Sequence, residues 1–206
     1  MQRQLVAQRA QNAIPDQLVL LQHSHVVTKG RNTQEGNVLF DEAALREKGV
    51  ELHETDRGGD VTYHGPGQLV VYPILDLRPD RCDLHRYVRD LERVLQATLS
   101  DFGVEGHAVA GRTGIWVRRP GQPEAKIAAI GVRVARWVTS HGIALNISAD
   151  LDFFKLIVPC GLHQSAVTSL QEMLPETPAM DAVGERFAQH FGVVFERRMQ
   201  SWVGRE

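Results

Sequence analysis

Apolar residues recur along this chain at two spacings, and the spacings mark out its elements. Leu84, Tyr87, Val88, Leu91, Val94, Leu95 and Thr98 follow one another at three- and four-residue steps. Asp83 is placed as an N-cap before them and Gly103 closes the run, so a long amphipathic helix is predicted there. Met180, Val183, Phe187 and Phe191 repeat the pattern and predict a second. Residues 41–48 (DEAALREK) read as a short helix with an acidic start, a basic end and Gly49 as its stop. Elsewhere the apolar runs are short and rich in β-branched residues, which predicts strands over 18–28, 50–55, 69–77, 113–117, 127–134, 137–141 and 143–147, with a last one over 193–196. Pro73 lies inside the 69–77 run and argues for an edge position or a bulge. The stretch Arg119-Pro120-Gly121-Gln122-Pro123 is a turn signal that predicts a hairpin between the strands flanking it. The strands cluster instead of alternating with helices, so the expected class is α+β with a largely antiparallel sheet.

At 206 residues, 43% of them hydrophobic, the chain is expected to fold as one domain spanning 1–206. A net charge of -2 gives no footprint for nucleic acid. No apolar run approaches a membrane span, and the N-terminal MQRQLVAQRAQNAIPDQ lacks the apolar core of a signal peptide. Cys82 and Cys160 are expected as free thiols, and the protein as cytoplasmic.

Candidate chemistry begins with residues 57–68, RGGDVTYHGPGQ, where four glycines and a proline stand beside Arg57, Asp60, Tyr63 and His64. A polar, glycine-rich loop that feeds an apolar strand is a favoured place for a binding site. It is neither a Walker A sequence nor GxGxxG, and a long turn between strands is the alternative. Cys160 sits between Pro159 and Gly161, a setting that suits an exposed nucleophile, although a buried structural cysteine is the commoner fate. A thiol titrates near pH 8.5, so a nucleophilic one needs a cationic neighbour; lowering it by two units takes about 2.7 kcal/mol. Lys126, at the start of the apolar run Ile127–Val132, is the candidate, the alternative being a solvated strand end. His23 with His25, and Cys82 with His85, have metal-like spacing but lack completing ligands, so no metal is expected. His64 and His141 read as polar groups near a site or as hydrogen-bonded core histidines. The arginines at 78, 81, 86, 89, 93, 118, 119, 133, 136, 197 and 198 read as solvated faces, or as a local patch for an acidic partner.

Six segments taken together resemble one family: 57–77, 111–117, 126–134, 141–147, 151–162 and 167–170 are similar, in order, to the octanoyltransferases, also called lipoyl(octanoyl) transferases or lipoate–protein ligase B. The resemblance implies a biotin/lipoate protein ligase-like α+β fold whose mixed, largely antiparallel sheet is flanked by helices. It implies transfer of an octanoyl or lipoyl group from acyl carrier protein to a lysine of a lipoyl domain, with Cys160 as the thioester-forming nucleophile and Lys126 as its activator. The implied substrate-binding residues are Arg57, Gly58, Gly59, Asp60, Val61, Thr62, Tyr63 and His64, then Ala129, Ile130 and Gly131, then Gly142, Ile143 and Ala144. The implied acceptors are the lipoyl domains of 2-oxoacid dehydrogenase complexes and the glycine cleavage H protein, with no cofactor. Exchange of one thioester for another, followed by amide formation, runs downhill without ATP. An ATP-dependent lipoate or biotin ligase of the same fold and a non-catalytic carrier-binding module are the other readings. The Cys160 and Lys126 pair counts against both.

Overall fold

The computed structural model describes residues 1–119, 121–158 and 166–200. Its first helix, α1 (Gln2–Ala10), has no counterpart in the apolar pattern because it buries no residue and carries no apolar stripe. It is docked through polar contacts, among them the Gln2 side-chain oxygen accepting from the His141 backbone N–H at 2.8 Å.

The 18–28 run, expected as one strand, divides into β1 (Gln17–Leu21) and β2 (Val26–Lys29), which belong to different sheets. The intervening His23 and His25 turn the chain and bond to two different tyrosines, Tyr72 and Tyr63, each at 2.7 Å. α2 (Glu42–Glu47) forms as predicted, with the Asp41 carboxylate accepting from the Ala44 N–H at 2.8 Å. β3 (Glu51–Glu54), β2 and β4 (Thr62–His64) then make a small sheet in the order β3-β2-β4.

β5 (Gln68–Ile74) is interior, lying between β1 and β9 (Val138–Asn146), so Pro73 occupies neither an edge nor a bulge. Register with β9 runs from Gln68↔Asn146 to Val71↔Ile143 and resumes unshifted at the Asp76↔Val138 bridge. Across the gap the Thr139 side chain carries the hydrogen bonding between the strands. Its hydroxyl donates to the Pro73 carbonyl at 2.6 Å and accepts from the Leu75 N–H at 2.8 Å.

The long helix α3 (Leu84–Asp101) is capped by Asp83 and leads to β6 (Gly106–Val109), β7 (Arg112–Val117) and β8 (Ala125–Ala135). β7 and β8 form the predicted hairpin, with Val117 opposite Ala125. The two strands expected over 137–147 are one, β9, because Gly142 continues the ladder without interruption. The main sheet runs β1-β5-β9-β8-β7-β6, every pair antiparallel, and the short β10 (Ala166–Val167) joins β8 in parallel. A 3-10 turn at Leu151–Leu156, the short helix α4 (Leu170–Met173) and α5 (Met180–Phe195) complete the described chain. α5 includes 193–195 of the 193–196 run expected as a last strand, and Glu196 is its left-handed C-cap. Phe187, Phe191 and Phe195 continue the four-residue step, and all three are buried.

α3 and α5 cover one face of the main sheet, where Leu91, Leu95, Phe187 and Phe191 meet Leu69, Ile127, Ile143 and Leu145. A second, smaller core of Val27, Leu45, Val50, Val61, Tyr63, Leu156 and Ile157 lies under the small sheet. Among the described residues no helix is long and apolar enough to cross a membrane.

Candidate functional site

The three groups of residues expected to bind substrate come from a loop and two strands, and the fold brings them together. β8 and β9 pair Ala129 with Ala144, Ile130 with Ile143 and Gly131 with Gly142. Residues 57–59 lie across the same place: the Gly58 N–H donates to the Val132 carbonyl at 2.9 Å. A β-carbon on Gly131 would stand 3.1 Å from the Gly58 carbonyl oxygen and 3.2 Å from Arg57 Cδ. The absence of a β-carbon at Gly58 and Gly131 thus lets backbone pack on backbone.

Within the loop the side chains divide into those that hold it and those that face outward from it. Arg57 is 7% exposed. Its Nη2 donates to the Thr28 carbonyl at 2.7 Å and its Nη1 to the Gly58 carbonyl at 3.1 Å, which anchors the loop to β2. Asp60 is buried, accepting from the Asn37 side-chain amide and, at 2.7 Å, from the Val61 N–H. Asn37 in turn accepts the Val158 N–H on its carbonyl at 2.8 Å. The loop is therefore tied to the chain two residues before Cys160. Val61 and Tyr63 point into the small core; Val61 is thereby separated from Ile130 and Ile143, which belong to the main one. Tyr63 stacks on Phe153 with ring centroids 5.2 Å apart and shares a 2.7 Å hydrogen bond with His25 Nδ1. Burial, with Asp150 nearby, pushes its hydroxyl up to about 12.

Thr62 and His64 alternate with Tyr63 along β4, and all three are opposed by β2. His64 Nδ1 lies 2.7 Å from the Gln68 side-chain oxygen. Loss of hydration pulls the imidazole down to about 4, with His23, Arg57 and His141 adding positive charge around it. His141, on β9, bonds to Asp56 at 2.8 Å, and Arg133 reaches the same carboxylate at 3.3 Å. That hydrogen bond is the largest influence holding Asp56 below its ordinary value.

Lys126 lies on β8 with Trp116 opposite it on β7 and Val167 opposite it on β10. Its ammonium is 4.9 Å from the centre of the fully buried Trp116 ring, and its carbonyl accepts from the Thr168 N–H at 3.0 Å. Ile127, next along, turns into the main core, so Lys126 projects from the opposite face. Cys160 lies outside the described residues. The chain that contains it leaves at Val158, held by Asn37, and returns at Ala166–Val167, paired with Ala125–Lys126.

Three residues absent from the sequence-based set stand beside those in it: Gln68, Asn146 and Thr168, all fully or nearly fully buried. Gln68 Nε2 donates to Asn146 Oδ1 at 2.9 Å, and Asn146 Nδ2 donates to the Thr168 carbonyl at 2.9 Å. A polar residue inside an apolar strand, as Asn146 is in Ile143–Ile147, is a signal that would have pointed to them. Most of the arginines, by contrast, pair with acids of the same chain. Arg81 pairs with buried Asp90 at 2.7 Å, with Arg86 and Arg93 drawn to the same carboxylate. Glu124 gathers Arg112, Arg118 and His107. Among the described residues no group of three His, Cys, Asp or Glu is placed to hold a metal ion.

The family described as lipoyl protein ligase A/B catalytic domain matches residues 1–192. An octanoyltransferase of Solibacter usitatus is 50% identical over 198 residues, covering 96% of this chain and 87% of that one. One from Koribacter versatilis is 47% identical over 201 residues, covering 97% and 79%. Among solved structures, the bipartite lipoate protein ligase of Thermoplasma acidophilum superposes with a TM-score of 0.78 at 16% identity, over 100% of this chain and 83% of that one. A lipoate-protein ligase A bound with ATP gives 0.72 at 16% identity, over 98% and 83%. At such identities the structures establish a shared fold: a mixed, largely antiparallel sheet flanked by helices.

Proposed function

Because the chain belongs to the lipoyl protein ligase A/B catalytic family, as one of its octanoyltransferases, we propose that it moves an octanoyl group through a thioester on Cys160 to a lysine of a lipoyl domain. It is an acyltransferase acting in protein lipoylation. In this reading residues 1–206 act as one cytoplasmic catalytic domain, and octanoyl-acyl carrier protein is the donor. The lipoyl domains of 2-oxoacid dehydrogenase complexes and the glycine cleavage H protein are the acceptors.

The observation that carries the mechanism is the pairing of Val167 with Lys126, since it returns the chain bearing Cys160 to the strand that bears the lysine. The Lys126 ammonium favours the thiolate, which attacks the carrier's thioester carbonyl; the carrier's thiol leaves and takes a proton. The acceptor amine then attacks the Cys160 thioester, the C–S bond breaks, and the amide forms. The paired segments 129–131 and 142–144, with residues 57–59 across them, form the wall beside which the acyl chain lies. Glycines there let the chain and the carrier's arm approach backbone closely.

The test is intact-mass measurement after incubation with octanoyl-acyl carrier protein and no ATP, followed by addition of a lipoyl domain. The expected result is a hydroxylamine-labile octanoyl adduct, lost in Cys160→Ala, and then a stable adduct on the acceptor. Octanoylation of the acceptor only when ATP and free octanoate are supplied would overturn the reading in favour of a ligase. Binding of the carrier with no adduct on either protein would leave a non-catalytic module.

A further inference from the structure

Hydrogen positions on amides and imidazoles follow from the network when one end of it is unambiguous. Here that end is the Thr168 carbonyl, which only accepts. Asn146 therefore presents its NH2 to Thr168, at 2.9 Å, and its oxygen to Gln68. Gln68 must then present its own NH2 to Asn146, and the same group reaches the Tyr63 carbonyl at 3.4 Å. The Gln68 oxygen is left for His64, 2.7 Å from Nδ1. An acceptor at that distance requires the proton on Nδ1, so the neutral ring carries its lone pair on Nε2. Turning either amide over would set oxygen against oxygen in a site where Gln68 is 1%, Asn146 4% and Thr168 0% exposed.

Thr168 itself is fixed on two sides. Its N–H donates to the Lys126 carbonyl at 3.0 Å and its hydroxyl to Glu172 at 2.8 Å. The direction of the whole chain of bonds is thus set at the strand that carries Lys126. Around His64 the titratable and charged groups are His23, from the segment between β1 and β2, Arg57 of the loop, and His141 of β9. His23 is bonded to Tyr72 and His141 to Asp56. Among the described residues no hydrogen bond is made to Nε2.

We propose that Gln68, Asn146 and Thr168 are positioning residues that lock His64 in its Nδ1–H tautomer, so that Nε2 receives a hydrogen bond from the amine of the incoming lysine. The catalytic half of this rests on the acyl-transfer reading; the tautomer does not. In aminolysis the amine nitrogen bonds to the thioester carbon and the C–S electron pair stays on the Cys160 sulfur. The nitrogen then sheds a proton as the amide forms. An acceptor at Nε2 orients the amine lone pair toward the carbonyl and takes that proton; a donor there would oppose the attack.

Nitrogen-15 NMR of the whole protein with ring-labelled histidine tests it, His64 being assigned by its loss in His64→Gln. The expected spectrum near neutral pH has His64 protonated at Nδ1 and bare at Nε2; the opposite tautomer in the native protein would overturn the proposal without any variant being needed. In Gln68→Met and Asn146→Leu, close in size to the residues they replace, the Nε2–H form is expected to rise to roughly half or more. An unchanged tautomer in both would equally sink the relay. Single-turnover kinetics separate the halves: transfer from preformed octanoyl-enzyme to the lipoyl domain should slow by roughly tenfold or more in these variants, while formation of that intermediate changes little. Equal slowing of both steps would assign the network a merely structural role. Absence of any octanoyl-enzyme in the native protein would remove the acyl-transfer reading and leave the tautomer result standing.

Discussion

Gly131 and Gly142 face each other across β8 and β9, and each is crowded on its own side by a different piece of backbone. A β-carbon on Gly142 would overlap the Val71 carbonyl oxygen, so Gly142→Ala must push β5 away from β9 in the middle of the main sheet. On Gly131 the nearest atoms, the Gly58 carbonyl oxygen at 3.1 Å and Arg57 Cδ at 3.2 Å, belong to the loop and are crowded but not overlapped. Gly142→Ala should therefore cost about 1–3 kcal/mol in urea unfolding, the usual range for overpacking, with Gly131→Ala below it. The smaller change should have the larger functional signature per unit of stability, since it displaces residues 57–59. If Gly131→Ala proved the more destabilising of the two, the loop and not the strands would be the tighter contact.

The proposed activation of the Cys160 thiol by Lys126 can be tested separately from unfolding. Lys126→Met keeps the aliphatic stem near Trp116 and deletes the charge. The pH at which Cys160 reaches half its maximal alkylation rate should move up toward the ordinary thiol value near 8.5, and the rate at pH 7 should drop roughly tenfold. An unmoved alkylation profile would take Lys126 out of the activating role.

What could be read from the sequence was whatever repeats or punctuates. The helix after Asp83 and the β7–β8 hairpin have local signals, a cap and a turn, and both are where those signals put them. The run 193–196 reads as strand because Val193, Val194 and Phe195 in a row outweigh a helical period whose last contact, Phe195, is decided by the core. Pro73 was expected at an edge because the side chain that compensates it, Thr139, is far away in sequence. The candidate site shows the same division. The interest of residues 57–64, 129–131 and 142–144 came from motif resemblance, but their meeting is a product of pairing register and of the Gly58–Val132 bond. Gln68, Asn146 and Thr168 were passed over because their partners are up to 78 positions away and no spacing rule connects them.

The imidazole of His64 makes stability depend on acid. Its value in the fold, about 4, lies below the 6.5 of an unperturbed histidine. Between those two values the unfolded chain binds a proton that the folded one does not. The contribution is complete above pH 6.5, is lost as pH falls toward 4, and changes no further below it. Its ceiling is about 3 kcal/mol for a shift of this size. Plotting unfolding free energy against pH for the native protein and for His64→Gln should give curves that converge as pH falls through this window. Parallel curves would mean that His64 is protonated without penalty and that its surroundings are wetter than its bond to the buried Gln68 side chain implies.

The buried pair Asn37–Asp60 joins the glycine-rich loop to the segment that enters Cys160, and the coupling can be measured as such. Asp60→Ala strands the Asn37 amide and the Val61 N–H together, whereas Asn37→Ala leaves Asp60 still bonded to Val61. The first should cost about 2–4 kcal/mol and the second less, because the first orphans two buried donors whereas the second leaves the carboxylate one of its two bonds. The double variant should be more stable than the sum of the two losses predicts, by about 1–2 kcal/mol, as expected for residues that share a bond. Because the Asn37 main-chain carbonyl keeps the Val158 N–H in every variant, the path of the chain toward Cys160 is retained. A change in alkylation rate that tracks the coupling would then show that the side-chain bond itself, and not the main-chain bond between Asn37 and Val158, sets how the loop and the thiol segment are held together. Additive losses would instead mean that the two residues act independently, each on its own side.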